Sequence, residues 1–486
     1  MKDELRRSGG WLNERPLVKS FESLGYSQFP DFVGGDAIVE EIRKALATGA
    51  PAALTGYGDA TPIRVENLDA MMTEVLITQD DLKLFNMFPR VTSRQPRFEW
   101  IRHKDFGTTR RAPGFREGGN PKGGTSAWER GDILNKYMGV RRGYTHQALI
   151  TGNLGGMFTD PVSSENRDGT IQLLSMIERW LTWGDKDIKD ASGNEVNYDG
   201  IYQQLLSLSG GTDSIIDMKG QPMDFDQLEQ GAIKLRERGK LSSFANVRTL
   251  TKPFVLSDLA LLKLQSERAD LSNAINNGYR PGTPLNGYNS QVGYLPFESS
   301  ILLDAVPEGK MLAATEPGVL SAKPATLTMA AAAEATSLME AGSYYYFASS
   351  VDDDGETDAR AATVLVVAAG EKATATIARV NSATAYRLYR GTKSDGSDAG
   401  WIATIAQPGS GDATYIDLNQ IRPDTGIFMM MNMAEPDIAL AQMSPLIKFP
   451  LAIVATQIEF LLLLYHVLAI KAVERVVFFK NIGKRT

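Results

Sequence analysis

There is no cysteine among the 486 residues, which excludes disulfide staples, thiolate zinc sites and thiol nucleophiles. Histidine is nearly as scarce. His103, His146 and His466 are the only three, and none has a second histidine at a spacing that would face a metal with it. The glycine-rich stretch GGNPKGGT (118–125) lacks the Gly-Lys-Ser/Thr order that places a lysine on phosphates, and TGYGDAT (55–61) is no dinucleotide fingerprint. The acidic run VDDDGETD (351–358) lacks the later glutamate of a calcium loop and reads as a solvated turn. No Ser/His/Asp set or paired-carboxylate arrangement stands out. The sequence therefore names no catalytic, cofactor-binding or metal-binding residue, and the expectation is a protein that is not an enzyme.

Long apolar runs are also missing, with one exception. The N-terminus, MKDELRRSGGW, has no apolar stretch after its basic residues and does not read as a secretory signal, while an internal KDEL carries no address. LAIVATQIEFLLLLYHVLAI (451–470) has the length of a membrane span. Gln457, Glu459 and His466 interrupt it, and Thr456, Ile458 and Phe460 alternate with Gln457 and Glu459. A long, largely buried strand is predicted there rather than a membrane helix.

What is present is unevenly distributed. The formal charge is 51 − 58 = −7, yet residues 90–142 carry 13 Arg or Lys against 5 Asp or Glu, a local +8. Within that stretch, FGTTRRAPGFREGGNPKGGTSAWERG (106–131) holds seven Gly and five Arg or Lys in 26 residues, with no helical or strand period. Alternating segments flank it at 97–106 and 136–150. A basic stripe on an acidic chain fits contact with the acidic surface of another copy better than a strong nucleic-acid site.

Helical patterns are predicted at 36–49, 66–90, 224–239, 257–271 (starting at Ser257) and 436–443. The longest runs from Asp160 and Pro161 to Gly184, about 23 residues, with Ile171, Leu174, Ile177 and Leu181 on its stripe, Gly169 as a weak point, and Trp180 and Trp183 packed near it. Residues 278–300 look loop-rich. Residues 323–419 turn Ala/Thr/Ser-rich, and seven short strands are predicted there, with Asp354-Gly355 and Asp395-Gly396 as turns. The chain before 322 and the chain after 420 need each other, so this segment reads as an insertion that the flanking fold can do without. A last strand is predicted at 474–481.

This order of elements resembles the major capsid proteins of tailed phages with the Hong Kong 97-type fold, and more closely those of contractile-tailed phages that carry an immunoglobulin-like insertion. The likeness sits in TDPVSSENRDGTIQLLSMIERWLTWGDKD (159–187) with NYDGI (197–201), similar to the spine helix and a following strand. It also sits in AYRLYRG (385–391) and in the C-terminal segment 444–483. The resemblance implies an α+β fold with an axial domain, a peripheral domain carrying the spine helix, an extended loop and an N-terminal arm, plus an inserted all-β immunoglobulin-like sandwich. The implied divisions are an arm with helices (1–90), the extended loop and its flanking strands (91–150), the first part of the peripheral and axial domains (151–322), the insertion (323–419) and their C-terminal part (420–486).

The function implied is a head protein that self-assembles, as hexamers and pentamers, into the icosahedral shell enclosing the genome. The partners implied are itself, a portal protein, decoration proteins and packaged double-stranded DNA through weak non-specific contact, with no membrane and no cofactor. Its place would be the virion, and the host cytoplasm during assembly. The extended loop would lie over a neighbouring subunit, with Arg110, Arg111, Arg116, Lys122 and Arg130 as assembly contacts. Some members of the family crosslink a loop Lys to a partner Asn; Lys122 and Asn481 carry no motif for this, and no crosslink is expected. The alternative is a virion- or cell-surface binding protein that uses the immunoglobulin-like domain.

Overall fold

A computed structural model describes residues 77–107, 109, 112–147, 161–190, 192–266, 285–319, 321–451 and 456–485. The helix expected at 36–49, the cap at Asp160, Arg110 and Arg111 lie outside these residues. The described chain is mixed α+β, with strands predominating.

A short helix α1 (Lys83–Met87) leads into β1 (Arg90–Thr92), then β2 (Arg97–Asp105), β3 (Ala127–Leu134) and β4 (Lys136–Thr145). The long helix α2 (Pro161–Trp183) and α3 (Ile201–Ser207) precede β5 (Ile215–Asp217). Then come α4 (Phe225–Glu237), β6 (Val247–Thr251), α5 (Pro253–Ser266), β7 (Gly287–Asn289) and β8 (Tyr294–Ser299). Eight strands follow: β9 (Leu327–Ala333), β10 (Gly342–Val351), β11 (Arg360–Ala361), β12 (Leu365–Val367), β13 (Glu371–Ile377), β14 (Ala385–Gly391), β15 (Gly400–Ala406) and β16 (Ala413–Asp417). The last four are β17 (Gly426–Asn432), β18 (Ile438–Pro450), β19 (Gln457–Ile470) and β20 (Val476–Ile482).

Two sheets join distant parts of the chain. One runs β5-β20-β17-β6-β8-β7, the other β1-β18-β19-β4. The residues of β17, GIFMMMN, are all buried, because the strand has a core on each face. Phe428 and Met430 pack with Leu228, Leu235, Val255 and Leu259 of α4 and α5. Ile427, Met429 and Met431 pack on the opposite side with Leu173, Ile177 and Leu181 of α2. Strand β20 repeats the division, with Val477 and Phe479 on one side and Val476 and Phe478 on the other.

Helix α2 starts at Pro161 and stops before Gly184, as its sequence predicts. The fully buried line is Leu173, Ile177 and Leu181; Ile171 and Leu174 are only half-buried. Gly169 is a close approach: a Cβ there would stand 2.8 Å from Leu462 Cδ1 and 3.0 Å from Arg142 Cγ. The absence of a side chain lets the helix lie down on β4 and β19. Trp180 and Trp183 are half-buried and donate to the carbonyls of Tyr198 (2.9 Å) and Leu303 (2.8 Å), which is core packing. Glu178, fully buried on the same helix, accepts from the amides of Leu84 (2.8 Å) and Phe85 (3.2 Å), satisfying the free donors at the start of α1. Burial pushes the Glu178 carboxyl above its usual range, and these amides work against that shift.

Several sequence expectations are corrected. PDIALAQM is strand β18 rather than a helix, since Ile438, Ala439, Leu440 and Ala441 are all buried and a run buried on every side has no period to read. The apolar segment near 451–470 is β19 from Gln457, paired antiparallel with β18, so the two are arms of a hairpin. Helix α5 begins at Pro253, where proline suits a first turn, rather than at Ser257. Residues 278–300 contain strands β7 and β8, NYDGI runs into α3 instead of a strand, and within 66–90 the described helix is α1 alone, with a 3-10 turn at Gln79–Asp81. The segment 361–369 is two short strands, β11 and β12. Helix α4 agrees with its pattern, and its N-terminus carries a capping box from Asp224 and Gln227.

Strands β9 to β16 pair with one another in two sheets, β11-β10-β14-β15 with β12 alongside β10, and β16-β13-β9. A core of their own fills the space between, with Tyr346, Leu388, Ile377 and Ile402 at its centre. Gly396, at φ +70°, turns the chain between β14 and β15.

His466 marks the interior of the body. It is fully buried on β19, its Nε2 lies 3.0 Å from the Tyr198 hydroxyl, and the Phe85 ring meets it edge-on. Burial lowers its pKa to about 4 from 6.5. A histidine held neutral in the fold costs nothing above pH 6.5, and its penalty grows as pH falls from 6.5 to 4, where it reaches about 3 kcal/mol. Urea unfolding at pH 7.5 and pH 4 should show that loss, and His466→Gln should lose less between the two pH values. An identical pH dependence in wild type and variant would refute the assignment.

Candidate functional site: a projecting hairpin and an open sheet face

Among the described residues, strands β2 and β3 form a sheet of two strands. The glycine-rich excursion is therefore shorter than its composition suggests. Residues 127–131 belong to β3, which pairs with β2 from Arg97↔Leu134 to Asp105↔Ala127, while β4 joins the body. Trp128, Arg130 and Ile133 alternate too weakly among charges to have announced the strand.

Opposed residues of an antiparallel pair share a face. On one face are Phe98↔Ile133, Trp100↔Gly131 and Arg102↔Glu129, all half-buried except the exposed Glu129. Phe98 and Ile133 pack against the body core, Lys471 lies over the Phe98 ring, and Arg102 pairs with Glu474. Trp100 sits over Gly131, where a Cβ would be 2.5 Å from the indole. These contacts anchor the base of the hairpin.

The other face meets solvent. Ile101 is 73% exposed and Trp128 64%. The His103 ring stacks on Trp128 at 4.2 Å, and Phe106 meets His103 edge-on. Beyond them, the tip (106–126) is exposed at most described positions. A Cβ at Gly114, Gly118, Gly123 or Gly124 would meet nothing within 4 Å, and Phe115 is 61% exposed. The tip carries 4 Arg or Lys against 1 Glu, a local +3.

Of the five candidate contacts, Arg116 and Lys122 are exposed on this tip. Arg130 lies lower down and pairs across the hairpin with Glu99, whose hydrogen bond and charge raise its pKa. Arg97 pairs with Asp132 (3.4 Å) and Lys104 with Glu129 (3.4 Å), so the strand carboxylates are engaged within the hairpin.

A second surface was missed by sequence reasoning. The inner face of the β1-β18-β19-β4 sheet lies on α2 through Phe460, Leu462 and Leu464. Its outer face carries Ile447↔Leu463, Phe449↔Leu461 and Tyr465↔Tyr137, with Arg141 pairing to Glu459 at its edge. Phe449 is 56% exposed and Tyr137 62%. The alternation noted at 456–460 continues to Tyr465, and that was the available signal.

The three histidines stand on separate elements, and among the described residues no group of His, Asp or Glu is placed to hold a metal. Nor is any described helix long and apolar enough to cross a membrane. Asn481 is 2% exposed, and its amide is engaged inside the chain by Asp217, Gln420 and Arg422.

The hairpin and the outer sheet face both present apolar side chains to solvent. No family model matches the chain. It is a homologue of phage major capsid proteins: those of Staphylococcus phage S25-3 and Staphylococcus phage K are each 21% identical to it over 473 residues, covering 92% of this chain and 96% of theirs. Among solved structures, similarity is found to the capsid of Myoviridae phage XM1 (9% identity, 85% of this chain, 96% of that one, TM-score 0.40). It is also found to the capsid of a native GTA particle (9% identity, 88% and 98%, TM-score 0.41).

Because Ile101 and Phe115 touch so little of their own chain, Ile101→Ser with Phe115→Ser should leave subunit stability within about 0.5 kcal/mol of wild type. Ile133→Ser, at the anchored base, should lower it measurably. Thermal melts of the isolated subunit test both, and a large loss from the exposed pair would place the tip in the subunit's own core.

Proposed function

We propose that this chain is a major capsid protein, copies of which self-assemble into the icosahedral shell enclosing a phage genome. The observation that carries the reading is the match along 92% of the chain to proteins of that name. The geometry supports it. A hairpin with an apolar solvent-facing side and a cationic tip, and an uncovered apolar sheet face, are surfaces that another copy would bury.

On this reading the organisation is of the Hong Kong 97 type. Helix α2 is the spine helix and the β2–β3 hairpin the extended loop; the expected N-terminal arm lies outside the described residues. The segment 323–419 is an immunoglobulin-like insertion, and the sheets shared by residues before 322 and after 420 make up the axial and peripheral domains. The chain acts as a structural protein rather than an enzyme. It contacts DNA weakly and without sequence preference, meets a portal and decoration proteins, and assembles in the host cytoplasm. A surface-binding protein would leave both the hairpin and the full-length match without a role.

The tip is where charge should matter for assembly and not for folding. Charge-assisted hydrogen bonds are worth about 1.5–3 kcal/mol where solvent is excluded and less at a wet rim. A shell repeats the contact in every subunit. The triple change Arg110→Glu, Arg111→Glu, Arg116→Glu should give folded, soluble subunits or small capsomers that do not close. Circular dichroism reports the fold and negative-stain microscopy the particles; normal shells from the triple variant would remove the role given to these arginines.

A further inference from the structure

The unit formed by β9 to β16 is joined to the body by two connecting segments, one leaving after β8 and one returning to β17. Two tethers of irregular chain would ordinarily let such a unit swing. Here both are tied to the same small region of the body.

The tie centres on Asn481. Between Gly426↔Ile482 and Phe428↔Phe479 the pairing of β17 and β20 shifts by one residue, so β20 carries a bulge there. Asn481 sits in it at φ +57°, a left-handed conformation that asparagine tolerates better than most residues. The bulge turns its side chain toward the returning segment. Its Nδ2 donates to Gln420 O (2.8 Å) and to Asp217 Oδ1 (2.8 Å), and its Oδ1 accepts from the Arg422 amide (2.8 Å). Both amide hydrogens are used, and three pieces of chain meet at one buried carboxamide.

Lys252 bridges the two segments. Its Nζ pairs with Asp304 on the outgoing one and donates to Thr425 O (3.0 Å) on the returning one. The end of α2 holds the outgoing segment as well, through Trp183 Nε1 to Leu303 O (2.8 Å) and Arg179 to Asp304 O (3.3 Å). The unit itself then rests on α2: Trp401 of β15 meets Trp183 at 5.0 Å between ring centres and 65°. Between the two segments lies a cleft of about 520 Å³, whose lining includes Trp183, Lys252, Trp401 and Asn481.

We propose that this junction locks the inserted unit in one pose, as a rigid brace against the end of the long helix, with Asn481 as the positioning residue. The inserted unit is then no pendant module, and its outer sheet is presented at a set angle. This also qualifies the expectation from sequence that the flanking fold can do without the insertion: its removal would strip Trp183 of a ring contact. The proposal does not depend on the capsid reading, since it concerns the isolated full-length subunit.

Asn481→Gly is the informative variant, because glycine keeps the positive φ while removing the three hydrogen bonds. Trp401→Ala removes the aromatic seat separately. Hydrogen exchange read by mass spectrometry should show amides of 303–306 and 419–425 exchanging at least about tenfold faster in Asn481→Gly, with 457–470 unchanged. Small-angle scattering should show a larger maximum dimension in the double variant. Wild-type exchange in both single variants, or wild-type scattering in the double variant, would overturn the lock. A change in Trp401→Ala alone would overturn the role of Asn481. Should Asn481→Gly yield no folded subunit, Trp401→Ala decides: faster exchange at 303–306 supports the lock and unchanged exchange refutes it.

Discussion

The body depends on backbone pairing between strands that lie far apart in the chain. Strands β17 and β20 sit between β5 and β6, and β18 and β19 between β1 and β4. Neither sheet is complete until residues from 426 onward are in place. Strands β17 and β20 have core on both faces, so their N–H and C=O groups find partners only in the neighbouring strands. The long helix, the short helices and the hairpin base are all placed by reference to these sheets. Such non-local pairing costs loop entropy before any contact repays it, and so it implies late, cooperative formation of the body.

Against that interior, two surfaces look unfinished. The hairpin shows one face to the body and the other to solvent. The β1-β18-β19-β4 sheet covers α2 on one side and leaves Ile447, Phe449 and Tyr137 bare on the other. An isolated two-stranded ribbon is marginal in water without packing to support it. Here Phe98, Ile133 and the Arg102–Glu474 pair supply that support only at the base. Homology to major capsid proteins gives both surfaces a common explanation, since a shell subunit completes its packing with its neighbours.

The inserted unit adds a different constraint. It has its own core, yet Asn481, Lys252 and the Trp183–Trp401 contact tie its two connections to the body. Its independence in composition is not matched by independence in position.

The sequence by itself determined the elements whose signals are local. Pro161 and Gly184 bound α2, Asp224 and Gln227 start α4, and Asp395-Gly396 turns β14 into β15, because caps and turns act through neighbours a few residues away. The lack of cysteine and of clustered histidine likewise excluded whole classes of chemistry. Tertiary structure decided the rest. Strand β17 and residues 438–441 are buried on every side, so no period separates helix from strand there, and only the flanking sheets choose. Gly169 is a weak point in α2 by local propensity alone, but Leu462 and Arg142 lie against it and leave no room for a side chain. Strand β3 hid among charges because its partner, not its own residues, makes it a strand. The outer sheet face and the Asn481 junction were illegible for the same reason: each is assembled from residues hundreds of positions apart, and register and bulge geometry, which set them side by side, are properties of the pairing rather than of either segment.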